Sequence, residues 1–233
     1  MSLENPKSSI VLLSGGLDST VLLAKLVAEK RRVLAMGVDY GQRHSREIEA
    51  ARAVCAYYGV EYRLADLRGI SAFFGKNSLT DSAVPVYEGE YNEEGMKTTV
   101  VPARNLLLVS LATAWAISEK CDTVAYAAHG GDHAIYPDCR EEFAEKLDTV
   151  VRISDWHPVR LERPFVGMTK GEIVALGARL GAPLHLTWSC YNGGNAHCGK
   201  CSTCLERAAA FREAGVPDPT LWGKSGEVEE WKC

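Results

Sequence analysis

The chain has 233 residues, a formal net charge of −4 and a sequence pI of about 5.9. That length suits one α/β domain with a small appendage, and the acidic balance argues against a protein that grips nucleic acid through a basic face. The sequence has no run of roughly 18 apolar residues and begins with no apolar signal core, so we expect a cytoplasmic protein without a transmembrane helix.

The first predicted elements are a buried strand at residues 9–13 and a helix that begins near Thr20. The turn between them reads Ser14-Gly15-Gly16-Leu17-Asp18-Ser19. Glycines in such a turn let backbone N–H groups converge on an anion, and the following helix points its positive end at the same place. A Walker phosphate loop would need a Lys just before the Ser or Thr, where this chain has Asp18. The hexapeptide in this setting resembles the PP-loop of the ATP pyrophosphatase family, whose members cleave ATP between the α and β phosphates and transfer AMP to a substrate oxygen.

Strand and helix signals alternate along the rest of the chain. A second strand is predicted at residues 33–38, then a helix at 46–58 that Gly59 ends, and a third strand from Val60. Residues 75–99, rich in Gly, Asn, Ser, Glu and Asp, indicate a long mobile loop. The remaining predicted elements are an apolar helix at 106–120, a strand at 122–127, and helices at 141–151, 169–180 and 201–214, the second of which starts with a capping box. These repeated βα units predict an α/β fold, a mostly parallel sheet with helices on both faces.

Polar clusters stand at the places where an α/β sheet binds its ligands. They are residues 39–44 (DYGQRH) after the second strand, residues 101–105 (VPARN) before the apolar helix, and residues 129–140 after the fourth strand. Ligands of open parallel sheets sit beyond the carboxyl ends of the strands. Each cluster alone is typical of a polar loop, but the three together predict a pocket at this edge of the sheet.

Four of the eight cysteines lie close together near the end of the chain. Cys190, Cys198, Cys201 and Cys204 have the spacing C-x7-C-x2-C-x2-C, in which three thiolates can wrap one ion and the first Cys can close a tetrahedron. Disulfides are rare in the cytosol, so the pattern predicts zinc, with an iron–sulfur cluster as the alternative. Four Cys ligands leave no open position for water, so we expect a structural ion, with His197 as a bystander.

Six motifs together are more specific than the PP-loop alone. SGGLDS, DYGQRH, VPARN, DHAIYPDCR, MTKGEI and TWSCYNGG…HCGKCSTC resemble those of the 7-cyano-7-deazaguanine synthase family of queuosine and 7-deazapurine biosynthesis, over about residues 9–215. The resemblance implies one PP-loop domain with a Rossmann-like sheet over residues 1–233, a zinc-binding region at about 188–214, and a homodimer.

The resemblance also implies the reaction. 7-Carboxy-7-deazaguanine, ammonia and two ATP give the nitrile, two AMP and two pyrophosphate. A carboxylate cannot lose oxygen directly, because oxide is a poor leaving group, whereas adenylation turns that oxygen into AMP. Ammonia then gives an amide, and a second adenylation on the amide oxygen allows elimination to the nitrile. A PP-loop domain leaves no room in this chain for a glutaminase domain, so ammonia must come free or from a partner.

The expected site residues follow from the motifs and the resemblance. The ATP-binding residues are Leu13, Ser14, Gly15, Gly16, Leu17, Asp18, Ser19 and Thr20. The catalytic residues are Asp18, which acts through Mg²⁺ or by ordering the loop, Lys170, which neutralises charge at the α-phosphate, and Arg104, which binds the substrate carboxylate or a phosphate. The substrate-binding residues are Asp39, Tyr40, Gln42, Arg104, Asn105, Asp132, Tyr136 and Asp138. Residues 128–133 depart from the usual family pattern, so His129 and His133 receive no role.

Three other interpretations stay open. A PP-loop enzyme that thiolates tRNA would need a basic face to bind the tRNA and redox-active cysteines. A non-enzymatic zinc module that binds nucleotides or nucleic acid would not need the SGGLDS loop together with three polar clusters. An amide-forming relative would stop after one adenylation, and the sequence does not separate an amide product from a nitrile.

Overall fold

The strands of the protein form one parallel sheet, as seen in a computed structural model that describes residues 7–81, 83–89, 96–132 and 136–223. Its order is β3-β2-β1-β4-β5, and every neighbouring pair is parallel. The strands are β1 (Ser8–Leu12), β2 (Arg32–Asp39), β3 (Glu61–Asp66), β4 (Thr123–Ala125) and β5 (Arg160–Glu162). The prediction of a parallel α/β sheet is therefore confirmed.

Helices cover both faces of this sheet. They are α1 (Leu17–Ala28), α2 (Arg46–Tyr58), α3 (Arg104–Ser118), α4 (Glu141–Arg152), α5 (Lys170–Arg179) and α6 (Ser202–Ala214). Successive residues of β1 point to opposite faces: Ile10 joins a core with α3 and α4, and Val11 joins a core with α1, α2, α5 and α6. A strand segment buried on both faces is apolar on both, which is why Ile10 to Leu12 of β1 form a continuous hydrophobic run.

Local signals located several elements well. Helix α2 has the predicted bounds and ends at Gly59 in the left-handed conformation, with φ of 64°. Helix α5 begins with the predicted capping box, in which Thr169 and Glu172 each accept a hydrogen bond from the other's backbone. The sequence missed β5, because this three-residue strand has a single buried apolar residue, Leu161, and is held by its register with β4 and by the Asp148 carboxylate.

The segment predicted as a long mobile loop is anchored where the structure describes it, at residues 75–81, 83–89 and 96–99. Asn77, Ser78 and Thr99 are buried, and the Asn77 side chain accepts the backbone N–H groups of Leu79 and Thr80. Within these parts buried polar side chains close the turns, which the composition of the segment did not predict.

One helical stretch, Lys97–Ser118, is long and apolar enough by composition to cross a membrane. Its α3 part packs through Val109, Ala112 and Ala116 on the side of the sheet formed by β1 and β4. Packing on a sheet accounts for the apolar residues on this face of the stretch.

Candidate functional site

A cleft opens where the strand order reverses, between the carboxyl ends of β1 and β4. Its volume is about 280 Å³. It receives side chains from the turn after β1, the segments after β2 and β4, and the N-terminal ends of α3, α5 and α6. The three polar clusters expected to meet at this edge each contribute to it.

The turn after β1 is built around a glycine that no other residue can replace. Gly15 has φ of +88°, and a Cβ there would lie 2.6 Å from the backbone nitrogen of Ala51 and closer still to the carbonyl oxygen of Glu47. The first two turns of α2 therefore press directly on the loop. The Gly15 carbonyl oxygen accepts the backbone N–H of Trp188 at 3.0 Å, which ties the loop to the segment before the cysteines.

The two serines of the loop brace one another. Their hydroxyl oxygens lie 3.1 Å apart, and the Gly16 N–H donates to the Ser14 hydroxyl. Ser14, Gly16, Leu17, Asp18 and Ser19 line the cleft together with Leu13. Thr20 is fully buried beneath the loop. Gly15 forms the turn of the loop backbone. The loop thus presents hydroxyl groups and the N-terminus of α1 to the cleft, which is an arrangement suited to an anion.

Asp18 and Lys170 form the charged centre of the cleft. The Lys170 ammonium lies 3.4 Å from Asp18 Oδ2 and donates to Glu206 Oε2 at 2.7 Å. Burial on its own lowers the pKa of Lys170, but the carboxylates of Asp18, Glu206 and Asp132 outweigh it and raise that pKa above its ordinary value. Lys170 is therefore held as a cation. Asp18 Oδ1 is buried and makes no hydrogen bond within the described residues.

His129 is buried beside these charges. Its Nδ1 accepts the backbone N–H of Gly131 at 3.1 Å, which places the ring hydrogen on Nε2. That nitrogen lies 3.5 Å from Asp132 Oδ2 and 3.9 Å from Asp18 Oδ2. His129, which the sequence analysis left without a role, thus lies close to both carboxylates. His133 lies outside the described residues.

Arg104 and Tyr40 form the opposite wall. Arg104 opens α3 directly after Ala103, a non-glycine residue held at φ of 52°. Left-handed backbone at a non-glycine residue is strained and recurs at functional sites. The Arg104 side chain hydrogen-bonds Tyr40, and burial raises the pKa of that phenol although Arg104 opposes the shift. Gln42 supports this wall by accepting the Tyr40 N–H and donating to the Val38 carbonyl.

The other predicted substrate residues divide into two groups. Asn105, Asp132 and Tyr136 line the cleft, and the Tyr136 hydroxyl lies 2.6 Å from that of Thr99. Asp39 and Asp138 do not line it. Asp138 accepts the Asn105 N–H at 2.9 Å, and Asp39 accepts the Gly41 N–H at 3.0 Å. Both carboxylates fix the backbone that carries their neighbours.

Sequence reasoning missed two carboxylates of the cleft, Glu47 and Glu206. Glu47 lies in the first turn of α2, and burial raises its pKa to about 7 although Arg104 lowers it. The signal available for Glu47 was its place three residues after the polar cluster at 39–44. Glu206 carried no local signal, because only the packing of α6 on α5 brings it to Lys170.

The four predicted metal ligands come together behind the cleft. The sulfur atoms of Cys190, Cys198, Cys201 and Cys204 all lie within 4.8 Å of one another. Three of these residues are fully buried, and Cys198 is partly exposed. A closed set of four sulfurs matches a tetrahedral structural site. His197 is not part of this set: its Nε2 accepts the Ser189 N–H, and burial lowers its pKa to about 4.

The cysteine cluster and the cleft share a helix. Cys201 caps α6 and Cys204 lies in its first turn, while Thr203 and Glu206 of the same helix line the cleft. The Thr203 hydroxyl donates to the Ser189 carbonyl at 2.8 Å, which joins the two segments that bracket the cluster. The cluster thus fixes the end of a helix that carries cleft residues.

Comparison with known proteins agrees with this arrangement. The sequence profile of a family described as queuosine biosynthesis protein QueC matches residues 8–215. A 7-cyano-7-deazaguanine synthase of Marinobacter nauticus is 48% identical over 215 residues, which cover 92% of this chain and 97% of that protein. A second one, of Hahella chejuensis, is 45% identical over 217 residues, covering 93% of this chain and 94% of that protein.

A solved structure shares the fold at low identity. NMN synthetase from Francisella tularensis superposes with a TM-score of 0.52 at 14% identity, over 91% of this chain and 79% of that chain. The likeness supports the sheet topology only. The profile match, the near full-length relatives and the loop-centred cleft together show that the chain belongs to the QueC family of queuosine biosynthesis proteins.

Proposed function

We propose that the protein converts 7-carboxy-7-deazaguanine and ammonia to 7-cyano-7-deazaguanine, consuming two ATP and releasing two AMP and two pyrophosphate. The observation that carries the proposal is that one cleft joins an anion-binding loop to Arg104 on its opposite wall. A carboxylate held by Arg104 and a nucleotide held by the loop would face one another across that cleft.

The loop is the ATP site in this proposal. Ser14, Gly16 and Ser19 would hold the pyrophosphate, and Lys170 would offset charge that develops at the α-phosphate as the bond to pyrophosphate breaks. The buried, unpartnered Asp18 Oδ1 suits a Mg²⁺ ion, which prefers carboxylate oxygens and supplies charge neutralisation between phosphates.

The wall opposite the loop is the deazaguanine site. Arg104 offers a planar, permanently charged guanidinium to the substrate carboxylate. Tyr40 and Tyr136 supply aromatic rings of a size to contact the base, and Asp132 and Asn105 supply polar groups for its edges. Asp39 and Asp138 would act indirectly, through the loop turns that they hold.

The reaction needs two successive adenylation steps at the same loop. The substrate carboxylate oxygen attacks the α-phosphate, pyrophosphate leaves, and ammonia replaces AMP to give the amide. The amide oxygen then attacks a second ATP, and loss of AMP with the remaining N–H protons gives the nitrile. We assign zinc to the four cysteines as a structural ion, and we place the protein in the cytoplasm as a homodimer of single-domain subunits that takes ammonia from solution or from a partner.

The test is mass spectrometry of the product formed by purified protein from ATP, Mg²⁺, ammonium and 7-carboxy-7-deazaguanine, with AMP counted per product. We expect the nitrile with two AMP. The amide with one AMP would keep the family and change the reaction. AMP formation that requires tRNA would replace this proposal with tRNA thiolation.

A further inference from the structure

Glu47 lines the cleft. Its backbone carbonyl presses against Gly15 of the ATP loop, and its side chain interacts electrostatically with Arg104 and Tyr40 on the opposite wall. A carbon held between the loop and Arg104 would therefore have the Glu47 carboxyl group beside it. The proposed function uses Asp18, Lys170 and Arg104 and gives Glu47 no task.

The Glu47 carboxyl group makes no hydrogen bond and no ion pair with another residue in the part of the chain that the structure describes. Burial raises its pKa to about 7, so it exchanges a proton near neutral pH. Titratable and charged groups reach the cleft from the elements around α2. They are Asp18 on α1, Tyr40, Arg43 and His44 before α2, Tyr62 on β3 and Arg104 on α3.

The amination step needs a proton acceptor at this place. When ammonia attacks the acyl adenylate, the C–N bond forms, the C–O bond to AMP breaks, and the nitrogen must lose one proton to become an amide. The other described carboxylates that line the cleft already face charged or polar groups: Glu206 and Asp18 lie beside the Lys170 ammonium, and Asp132 lies 3.5 Å from His129 Nε2. Lys170 is protonated and cannot accept a proton.

We infer that Glu47 is the catalytic residue that takes a proton from the nitrogen in the amination step, an inference that rests on the proposed function. The nitrogen passes one proton to the Glu47 carboxylate as AMP leaves with the C–O bonding pair. Glu47 then returns that proton to solvent. In the second round the nitrogen loses two protons. One passes to solvent once the amide oxygen is adenylated, and Glu47 accepts the other as AMP leaves with the C–O bonding pair and the C≡N bond forms.

Adenylation and amination can be measured separately, because the first adenylation does not involve the nitrogen nucleophile. Exchange of labelled pyrophosphate into ATP, measured with 7-carboxy-7-deazaguanine and no ammonium, reports adenylation alone. In Glu47→Gln we expect this exchange to stay within about threefold of the unsubstituted protein, while product formation with ammonium falls by about 10²-fold. Retained exchange also shows that the variant is folded.

Glu49→Gln is the matched control, since Glu49 lies two residues further along α2 with a side chain that is 55% exposed. It should change neither measurement. Equal loss of exchange and product formation in Glu47→Gln would overturn the inference, and so would unchanged product formation. If the unsubstituted protein shows neither exchange nor product formation, the proposed function itself is contradicted.

Discussion

The Lys170 ammonium donates to the Glu206 carboxylate at 2.7 Å. The contact joins the first residue of α5 to α6, the helix whose N-terminal end carries two of the clustered cysteines. Two neighbouring carboxylates, Asp18 and Glu206, restrict the orientation of the Lys170 ammonium. Of its three N–H donors, one is then free to bind a phosphate oxygen. The helix that carries two of the clustered cysteines and the loop after β1 are thus connected through one side chain.

Removing the charge of Lys170 should slow adenylation. For Lys170→Met we expect pyrophosphate exchange to fall by about 10²–10³-fold, because a cation placed where transition-state charge develops is lost. Lys146→Met is the control, since Lys146 is an exposed residue of α4 that pairs with Glu142 far from the cleft. An unchanged exchange rate in Lys170→Met would assign Lys170 a purely structural role.

Changing Glu206 should misplace Lys170 without removing its charge. For Glu206→Gln we expect kcat of adenylation to fall about 10-fold, a loss on the order of 1.4 kcal/mol of transition-state stabilisation, with little change in thermal midpoint. Glu142→Gln, at an exposed position of α4, should leave the rate unchanged. A rise in KM for ATP at constant kcat would contradict the positioning role.

Gly15 should tolerate no side chain. Gly15→Ala places a Cβ 2.6 Å from Ala51 N and closer to Glu47 O at a backbone conformation with φ of +88°. We expect a loss of unfolding free energy of about 3 kcal/mol or more, combining overpacking with left-handed strain, measured by urea denaturation. Gly59→Ala is the control, because Gly59 also has positive φ but nothing within 4 Å of the added Cβ. Its cost should be about 1 kcal/mol, and equal costs would refute the steric argument.

The cysteine cluster should hold one structural zinc per chain. Elemental analysis should find one zinc in the purified protein, and Cys204→Ser should lose the metal and lower the thermal midpoint. Cys55→Ala, at a buried cysteine outside the cluster, should keep the metal. Iron with visible absorbance would identify an iron–sulfur cluster in place of zinc.

The raised pKa of Glu47 should appear in the pH dependence of stability. Because the folded-state pKa of about 7 lies above the ordinary value of 4.5, the folded protein binds this proton more tightly than the unfolded chain. The contribution to stability is fully present below about pH 4.5 and is lost as pH rises through about 7. Relative to Glu47→Gln, the unfolding free energy should fall on the order of 2 kcal/mol between pH 5 and pH 8, measured by urea denaturation. Parallel pH curves for the two proteins would place the Glu47 pKa in its ordinary range.

The sequence by itself determined the elements that depend on neighbouring residues. Strand β1, the bounds of α2, the capping box at Thr169 and the cysteine spacing all rest on local periodicity, caps or ligand spacing. The loop motif could also be predicted locally, because a glycine turn between a strand and a helix is formed by consecutive residues.

The tertiary structure alone decided which carboxylates share the cleft. Glu206 reaches Lys170 across 36 residues through helix packing, and burial raises the pKa of Glu47 although the Arg104 charge opposes the shift. Asp39 and Asp138 read like ligands in their motifs, yet they accept backbone N–H groups outside the cleft. Burial, charge pairing and side-chain direction depend on atoms brought together from distant parts of the chain, so no local pattern encodes them.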